Sequence, residues 1–158
     1  MPQFSLSKLH KNEKGLTLIE LLAVIVILAI IAAIAVPSIT GIVGKTKKES
    51  HRANAQLIID GARYKITVED FKPDDTGKTQ TITLKDIVDD GFLEKLPNDP
   101  TGGGKYNELT SVVTVTKNDK NENKLDYAIT LVGSGGIPYF TTINEEAIKT
   151  QAIVTAKP

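Results

Sequence analysis

The stretch NEKGLTLIELLAVIVILAIIAAIAVPSI, residues 12–39, decides how the rest of the chain is interpreted. Residues 21–36 carry only apolar side chains, Glu20 stands directly before them, and Pro37 ends the run. At about 1.5 Å per residue, a helix over residues 16–36 reaches roughly 30 Å, the thickness of the hydrocarbon core of a bilayer. The run is apolar all round, as expected of a helix surrounded by lipid. We therefore predict a membrane-spanning helix.

Two simpler interpretations of the apolar run are a cleaved secretory signal and a plain signal anchor. A secretory signal has a shorter apolar core, and AVPSITGIV, residues 35–43, is a poor match to its small-residue cleavage site. Hydropathy alone leaves the plain anchor open. Basic residues flank both ends, so charge does not fix the orientation, although the closeness of Lys14 to the run favours a cytoplasmic N-terminus.

Glu20 is the feature that a plain anchor does not explain. A carboxylate in a membrane helix is costly, and it marks a functional site unless its side chain can reach the headgroups. Glutamate is a short side chain, and Leu16, Leu18 and Ile19 precede it. Glu20 is therefore a candidate functional residue.

These residues resemble the N-terminal segment of type IV pilins, including the related pseudopilins of type II secretion and competence systems. The shared pattern is a short basic leader ending in Gly, a first processed residue that is usually Phe, a Thr-Leu-Ile-Glu run and a long apolar helix. Here Lys14 and Gly15 are followed by LTLIELLAVIVILAIIAAIAVPSI. The resemblance implies cleavage by prepilin peptidase between Gly15 and Leu16 and N-methylation of Leu16, which stands where Phe is commoner.

The resemblance also implies roles for Glu20 and for the end of the apolar run. Cleavage frees the α-amine of Leu16, whose pKa of about 8 makes it largely cationic at neutral pH. In filaments of this family the glutamate is thought to neutralise the amine of a neighbouring subunit, which assigns Glu20 to filament assembly. Pro37, followed by Gly41 and Gly44, weakens the helix, and we predict a hinge there. A simple membrane-to-domain linker is the alternative.

The chain divides into three segments on this interpretation. Residues 1–15 form the leader, and residues 16–44 form the transmembrane and filament-core helix with its hinge. Residues 45–158 form an amphipathic continuation of the helix and a globular domain.

Residues 45–70 are predicted to be helical over most of their length. Ala53, Leu57, Ile58 and Ala62 are spaced to share one apolar face, with charged residues opposite. Gly61 within this stripe predicts close packing against another element. A second, short helix is predicted to follow Thr83, which caps it with Asp86 three residues on, and to end at Gly91.

Strands are predicted at residues 111–117, at residues 126–132, and in a C-terminal region covering residues 139–143 and 151–156. Residues 118–124 are predicted to connect the first two strands as a hairpin. The predicted fold is α+β, with a long N-terminal helix packed on a small antiparallel sheet.

No residues with a recognisable catalytic or metal-binding arrangement are found in the sequence. The chain has 19 Lys+Arg, 19 Asp+Glu and no cysteine, which argues against polyanion binding and excludes disulfides and thiolate metal sites. Asp119, Asn121 and Asn123 have the spacing of a calcium loop, but Lys124 and Thr130 stand where that loop needs Gly and Glu. A polar turn is predicted there.

The two histidines, His10 and His51, each lack a second ligand at a sensible spacing. The glycine-rich residues 133–136 lack the Lys-Ser/Thr of a phosphate-binding loop. We therefore predict no enzymatic activity, no cofactor and no metal.

The predicted function is that of a structural subunit of a type IV pilus, serving adhesion, surface motility or a related task. The expected partners are other pilin subunits, prepilin peptidase, the pilus assembly machinery and the cytoplasmic membrane. The chain is expected to cross the membrane once before assembly and to be extracellular afterwards. The lack of a cysteine pair hints at a Gram-positive source.

Two alternatives stay open at this point. One is a pseudopilin of a type II secretion system or of a competence system, with nucleic acid as a partner only in the competence case. The other is a membrane-anchored binding module that uses the apolar helix as a simple tether.

Overall fold

The computed structural model describes residues 17–69, 79–118, 124–150 and 153. The elements, in chain order, are helix α1 (Leu18–Val68), strand β1 (Gln80–Thr83), helix α2 (Leu84–Asp89), strands β2 (Val112–Lys117), β3 (Leu125–Val132) and β4 (Pro138–Asn144), and a 3-10 helix (Glu145–Ala147). Residue contacts divide the chain into one unit that ends at Ile42 and another that begins at Val43. Helix α1 contributes residues to both units.

The second unit is built on a four-stranded antiparallel sheet in the order β1-β2-β3-β4. One row of β-branched residues crosses the whole sheet, because Ile82 pairs with Val113, Val113 with Ile129, and Ile129 with Ile143. All four side chains are buried. They join the buried residues of the second half of α1 in one hydrophobic cluster. The predicted α+β fold is confirmed.

The second half of α1 buries a face that differs from the predicted one. The buried positions recur every three or four residues, as a helix of 3.6 residues per turn requires, and they are His51, Ala55, Ile58, Ile59, Gly61, Ala62 and Ile66. Ile58 and Ala62 were placed correctly, but Ala53 and Leu57 are exposed. The prediction was wrong because it did not allow a histidine on the buried face, which shifted the predicted stripe around the helix.

Helix α2 begins as predicted. Thr83 is the N-cap, and it exchanges hydrogen bonds with Asp86 in a capping box. The helix ends at Asp89, and Gly91, just beyond it, has a φ of +78° that favours glycine. Close packing at Gly61 is also confirmed, since a Cβ built on it would lie 2.8 Å from Ile87 Cγ2 of α2.

The three longer strands coincide with predicted segments, whereas β1 has no counterpart in the prediction. Strands β2 and β3 pair antiparallel, as a hairpin requires. The connection itself, with Asp119, Asn121 and Asn123, lies outside the described residues. Of the predicted strand residues 151–156 only Ile153 is described, and it is buried without belonging to a strand.

Candidate functional site

Thr17 caps the start of helix α1. Its hydroxyl accepts a hydrogen bond from the backbone N–H of Glu20 at 3.3 Å, and Glu20 Oε2 accepts from the N–H and the hydroxyl of Thr17, both at 2.8 Å. This capping box satisfies N–H groups that a helix start leaves unpaired. Glu20 Oε1 accepts no hydrogen bond from the described residues, so one carboxylate oxygen stays available to a partner.

The first part of α1 exposes apolar side chains on all sides. Leu18 is 84% exposed and Ile34 is 73% exposed, and none of the large apolar residues between them is buried. Within the described residues, α1 is the one helix with the length and apolar composition needed to cross a membrane. Exposing apolar surface to water costs about 25 cal/mol of free energy per Å². The first part of α1 is therefore more stable in an apolar environment than in water.

Pro37, Gly41 and Gly44 all lie inside helix α1. Pro37 lacks the N–H that would bond to the carbonyl of Ala33 one turn earlier. A Cβ built on Gly41 or Gly44 would meet nothing within 4 Å, so packing within the described part of the chain does not require either glycine. The hinge assigned to these three residues stays a prediction.

Gly15 and Leu16, the predicted cleavage and methylation positions, lie outside the described residues, as does His10.

The second unit contains a buried polar cluster around His51, which the sequence did not predict. The imidazole is completely buried and lies with its ring centroid 3.8 Å from that of Tyr139. Its Nδ1 is 2.7 Å from the Tyr106 hydroxyl, and its Nε2 is 3.0 Å from the Thr101 hydroxyl. Asn54 Nδ2 donates to the same Tyr106 oxygen at 3.2 Å. Helix α1 is thereby joined to the loop that follows residue 96 and to β4.

Asp99 anchors the other side of this cluster. Its carboxylate accepts hydrogen bonds from the backbone N–H groups of Thr101, Gly102 and Ser134 and from the Tyr139 hydroxyl, at 2.8–3.1 Å. Burial alone would raise the pKa of Asp99, but these donors outweigh it, and the pKa lies below its ordinary value. A charged carboxylate with this many donors is stable even though Asp99 is almost fully buried.

The two tyrosines of the cluster remain protonated at neutral pH. Burial raises the pKa of Tyr139 to about 12, with the neighbouring Asp99 charge adding to the effect, and burial also raises the pKa of Tyr106. Burial lowers the pKa of His51, with Lys47 assisting and Asp99 opposing. The cluster therefore has a neutral imidazole, two phenol donors and one carboxylate.

One signal in the sequence indicates that His51 is buried, namely its spacing from apolar residues further along the helix. His51 lies four residues before Ala55 and seven before Ile58, on the face that α1 buries. The polar sequence around it concealed this, and its partners Thr101 and Tyr106 are 50 and 55 residues away along the chain.

Two cavities among the described residues of the second unit contain no recognisable catalytic arrangement. One of about 240 Å³ is lined by residues that include Asp126, Tyr127 and Glu145, and another of about 470 Å³ lies between α1 and residues Ile148 and Lys149. In the part of the chain that the structure describes, no group of three or more metal-ligating side chains is placed to hold an ion.

Comparison with known proteins identifies the N-terminal segment. The prokaryotic N-terminal methylation motif matches residues 10–36, which include Gly15, Leu16 and Glu20. No curated protein and no solved structure matches the chain. The motif implies processing by prepilin peptidase, anchoring in a membrane before assembly, and assembly into filaments. The chain thus combines a prepilin-type methylation motif with a long apolar helix, which is consistent with a type IV pilin or pseudopilin.

Proposed function

We propose that this chain is a structural subunit of a type IV pilus, cleaved between Gly15 and Leu16 and polymerised through helix α1. The observation that supports this most directly is that the methylation motif overlaps the first part of α1, whose large apolar side chains are exposed. The bilayer covers this surface before assembly, and the helices of neighbouring subunits cover it in the filament. The protein is structural rather than enzymatic, and it belongs on the surface of a Gram-positive bacterium.

The geometry at Glu20 is compatible with a role in assembly. Thr17 occupies Oε2 and fixes the side chain, while Oε1 stays available. In the filament, Oε1 accepts the cationic α-amine of Leu16 from a neighbouring subunit. A charge pair in a water-poor core attracts strongly, whereas either charge alone is costly there. Thr17 is therefore a positioning residue for Glu20.

Further apolar surface continues along α1 in the second unit. Leu57, Tyr64 and Val68 are 48%, 70% and 67% exposed, and their spacing of seven and four residues places them on one helix face. This face lies away from the buried stripe. In our proposal, neighbouring subunits also cover this second apolar surface of the helix.

The first test concerns processing. Mass spectrometry of the chain isolated from cells with active prepilin peptidase should find Leu16 as the N-terminal residue, whereas the Gly15→Val variant should keep residues 1–15. A wild-type chain that keeps those residues in such cells would overturn the proposal.

The second test separates the charge of Glu20 from its capping role. Glu20→Gln keeps a side-chain acceptor in the capping box but removes the charge, so it should insert into the membrane normally and give at least tenfold fewer filaments. Thr17→Ser keeps the capping hydroxyl and is the matched control, with filament numbers near wild type. Filament numbers near wild type for Glu20→Gln would contradict the charge-pairing role.

The third test separates a filament subunit from a membrane tether. Scrambling residues 21–36 at constant composition preserves hydropathy but changes every contact between packed helices. A tether would tolerate the change, whereas we expect filaments to be lost.

Electron microscopy of sheared filaments, with this chain identified by mass spectrometry, then distinguishes a surface pilus from a short periplasmic or cell-wall pseudopilus.

A further inference from the structure

The hydrogen bonds around His51 have a defined direction. Tyr106 is protonated and its hydroxyl accepts from Asn54, so its own proton points to the remaining neighbour, His51 Nδ1. Nδ1 is then the acceptor, and the imidazole carries its proton on Nε2, which donates to the Thr101 hydroxyl. The geometry thus selects the neutral Nε2–H tautomer.

Protonation of His51 would break this pattern. A proton on Nδ1 would face the Tyr106 hydroxyl, whose own proton has no other acceptor among the described residues. The imidazole is completely buried, so water cannot compensate for the lost bond. The charged groups that face the ring are Asp99 on the neighbouring loop, which favours the protonated imidazole, and Lys47 on the same helix, which disfavours it. Burial of the imidazole outweighs the attraction of Asp99, so the pKa of His51 is lowered.

Two surface segments contribute residues to this cluster. Residues 97–106 contain Thr101 and Tyr106, which bond to the imidazole, and Asp99, which bonds across to Ser134 and Tyr139. Residues 133–139 contain Ser134 and also Tyr139, whose ring lies on the imidazole. Both segments expose several of their residues to solvent.

We propose that His51 is an acid-sensitive latch that holds residues 97–106 and 133–139 on helix α1 while neutral and releases them when protonated. This inference is independent of the filament function, because every group in it belongs to the second unit. The folded state lowers the pKa of His51, so the latch is fully closed above the ordinary value of about 6.5 and opens as the pH falls through the lower value of the folded protein. Release changes the surface that the subunit presents to its surroundings.

The test measures ring protonation and local opening on the full chain in detergent micelles. Nitrogen-15 NMR of histidine-labelled protein should show the Nε2–H tautomer at pH 7.5. Hydrogen exchange, corrected for the intrinsic effect of pH, should then show protection of residues 97–106 and 133–139 falling at least tenfold as the pH is lowered until NMR reports a charged His51, while α2 keeps its protection. The loss of protection should follow the His51 titration.

Two variants serve as controls. His51→Gln keeps a neutral donor near the Nε2 position and should abolish the pH response, whereas His10→Asn, at the chain's other histidine, should keep it. The proposal is overturned if both segments stay protected while NMR reports a charged His51, or if His51→Gln keeps the same loss of protection. If His51→Gln fails to fold, the coincidence of ring titration and opening in the wild-type chain decides.

Discussion

Gly133 has no room for a side chain. A Cβ built on it would lie 2.6 Å from Asp99 Oδ2 and 2.6 Å from Tyr139 Cε2, closer than such atoms approach each other. The carboxylate cannot move aside, because backbone N–H groups on two segments hold it. Glycine at this position therefore lets the end of β3 pass close to the buried carboxylate.

We expect Gly133→Ala to destabilise the second unit by about 1–3 kcal/mol, the usual cost of forcing atoms into a packed site. The matched control is Gly135→Ala in the same turn, where a Cβ would meet nothing within 4 Å. Urea unfolding of the full chain in micelles, followed by tyrosine fluorescence since the chain has no Trp, measures both. Equal unfolding midpoints for the two variants would show that the close contacts of a Cβ at residue 133 do not lower the stability.

His51 shows most clearly which features of the site cannot be predicted from the sequence. His51 appears as a lone histidine among charged neighbours, and lone histidines give no local sign of a partner. Its environment consists of groups brought together by the tertiary fold from two distant segments. Glu20 is the opposite case, because its significance follows from the apolar run directly after it.

Helix α2 has only the residues Leu84–Asp89, so its first turn matters. Thr83→Ala removes the hydroxyl that bonds to the Asp86 N–H and carboxylate, and we expect a loss of about 1 kcal/mol in the free energy of unfolding. The hydrogen bond from Thr83 lowers the pKa of Asp86, so this pKa should rise in the variant. NMR titration of Asp86 measures the second effect.

Thr81→Ala is the control for this prediction. Thr81 is in the adjoining strand β1 and its side chain is exposed. The variant should leave both the unfolding free energy and the Asp86 titration near wild type. A loss of stability for Thr81→Ala as large as that for Thr83→Ala would contradict the capping explanation.

The hinge predicted at Pro37, Gly41 and Gly44 leads to a separate prediction. Pro37→Ala restores an N–H donor for the carbonyl of Ala33 and removes the clash of the proline ring with the preceding turn. We expect backbone hydrogen exchange around residues 37–44 to slow by at least tenfold in micelles. Ser38→Ala, which leaves the backbone donors unchanged, is the control. Unchanged exchange in Pro37→Ala would exclude the proline as the cause of a soft segment.

The elements that the sequence predicted share a local signal. Strands β2 and β3 alternate inward and outward residues, and α2 has its capping pair three residues apart. Strand β1 lacks such a signal, because Ile82 is the single buried residue among its four. It is a strand because its register with β2 places Ile82 beside Val113, which is a tertiary effect.

The charged groups of the second unit make its stability dependent on pH. Burial opposes ionisation of Glu145, but hydrogen bonds from Arg63 and Gln56 outweigh this and lower its pKa. Hydrogen bonds also place the pKa values of Asp86 and Asp99 below their ordinary values. A carboxylate whose pKa is lower in the folded state contributes stability above the unfolded value, and this contribution is lost as the pH falls through the folded one.

We therefore expect the urea concentration at which half of the full chain is unfolded to decrease as the pH is lowered from about 5 to about 3, the range in which unfolded carboxylates titrate. Glu145→Gln should reduce this pH dependence. The neutral amide does not titrate, so the difference in proton binding between the folded and unfolded states at this position is removed. Unfolding curves at half-unit pH steps provide the measurement. A midpoint that does not change over this range would show that these hydrogen bonds do not depend on charge.

The meander order of the sheet has a kinetic consequence. Each strand pairs with its neighbour in the sequence, so no pairing has to wait for a distant part of the chain. Pairing between strands that are neighbours in the sequence closes shorter loops than a crossover connection would, so it costs less chain entropy. The sheet can therefore grow strand by strand in the order of synthesis, on a helix that has already been made.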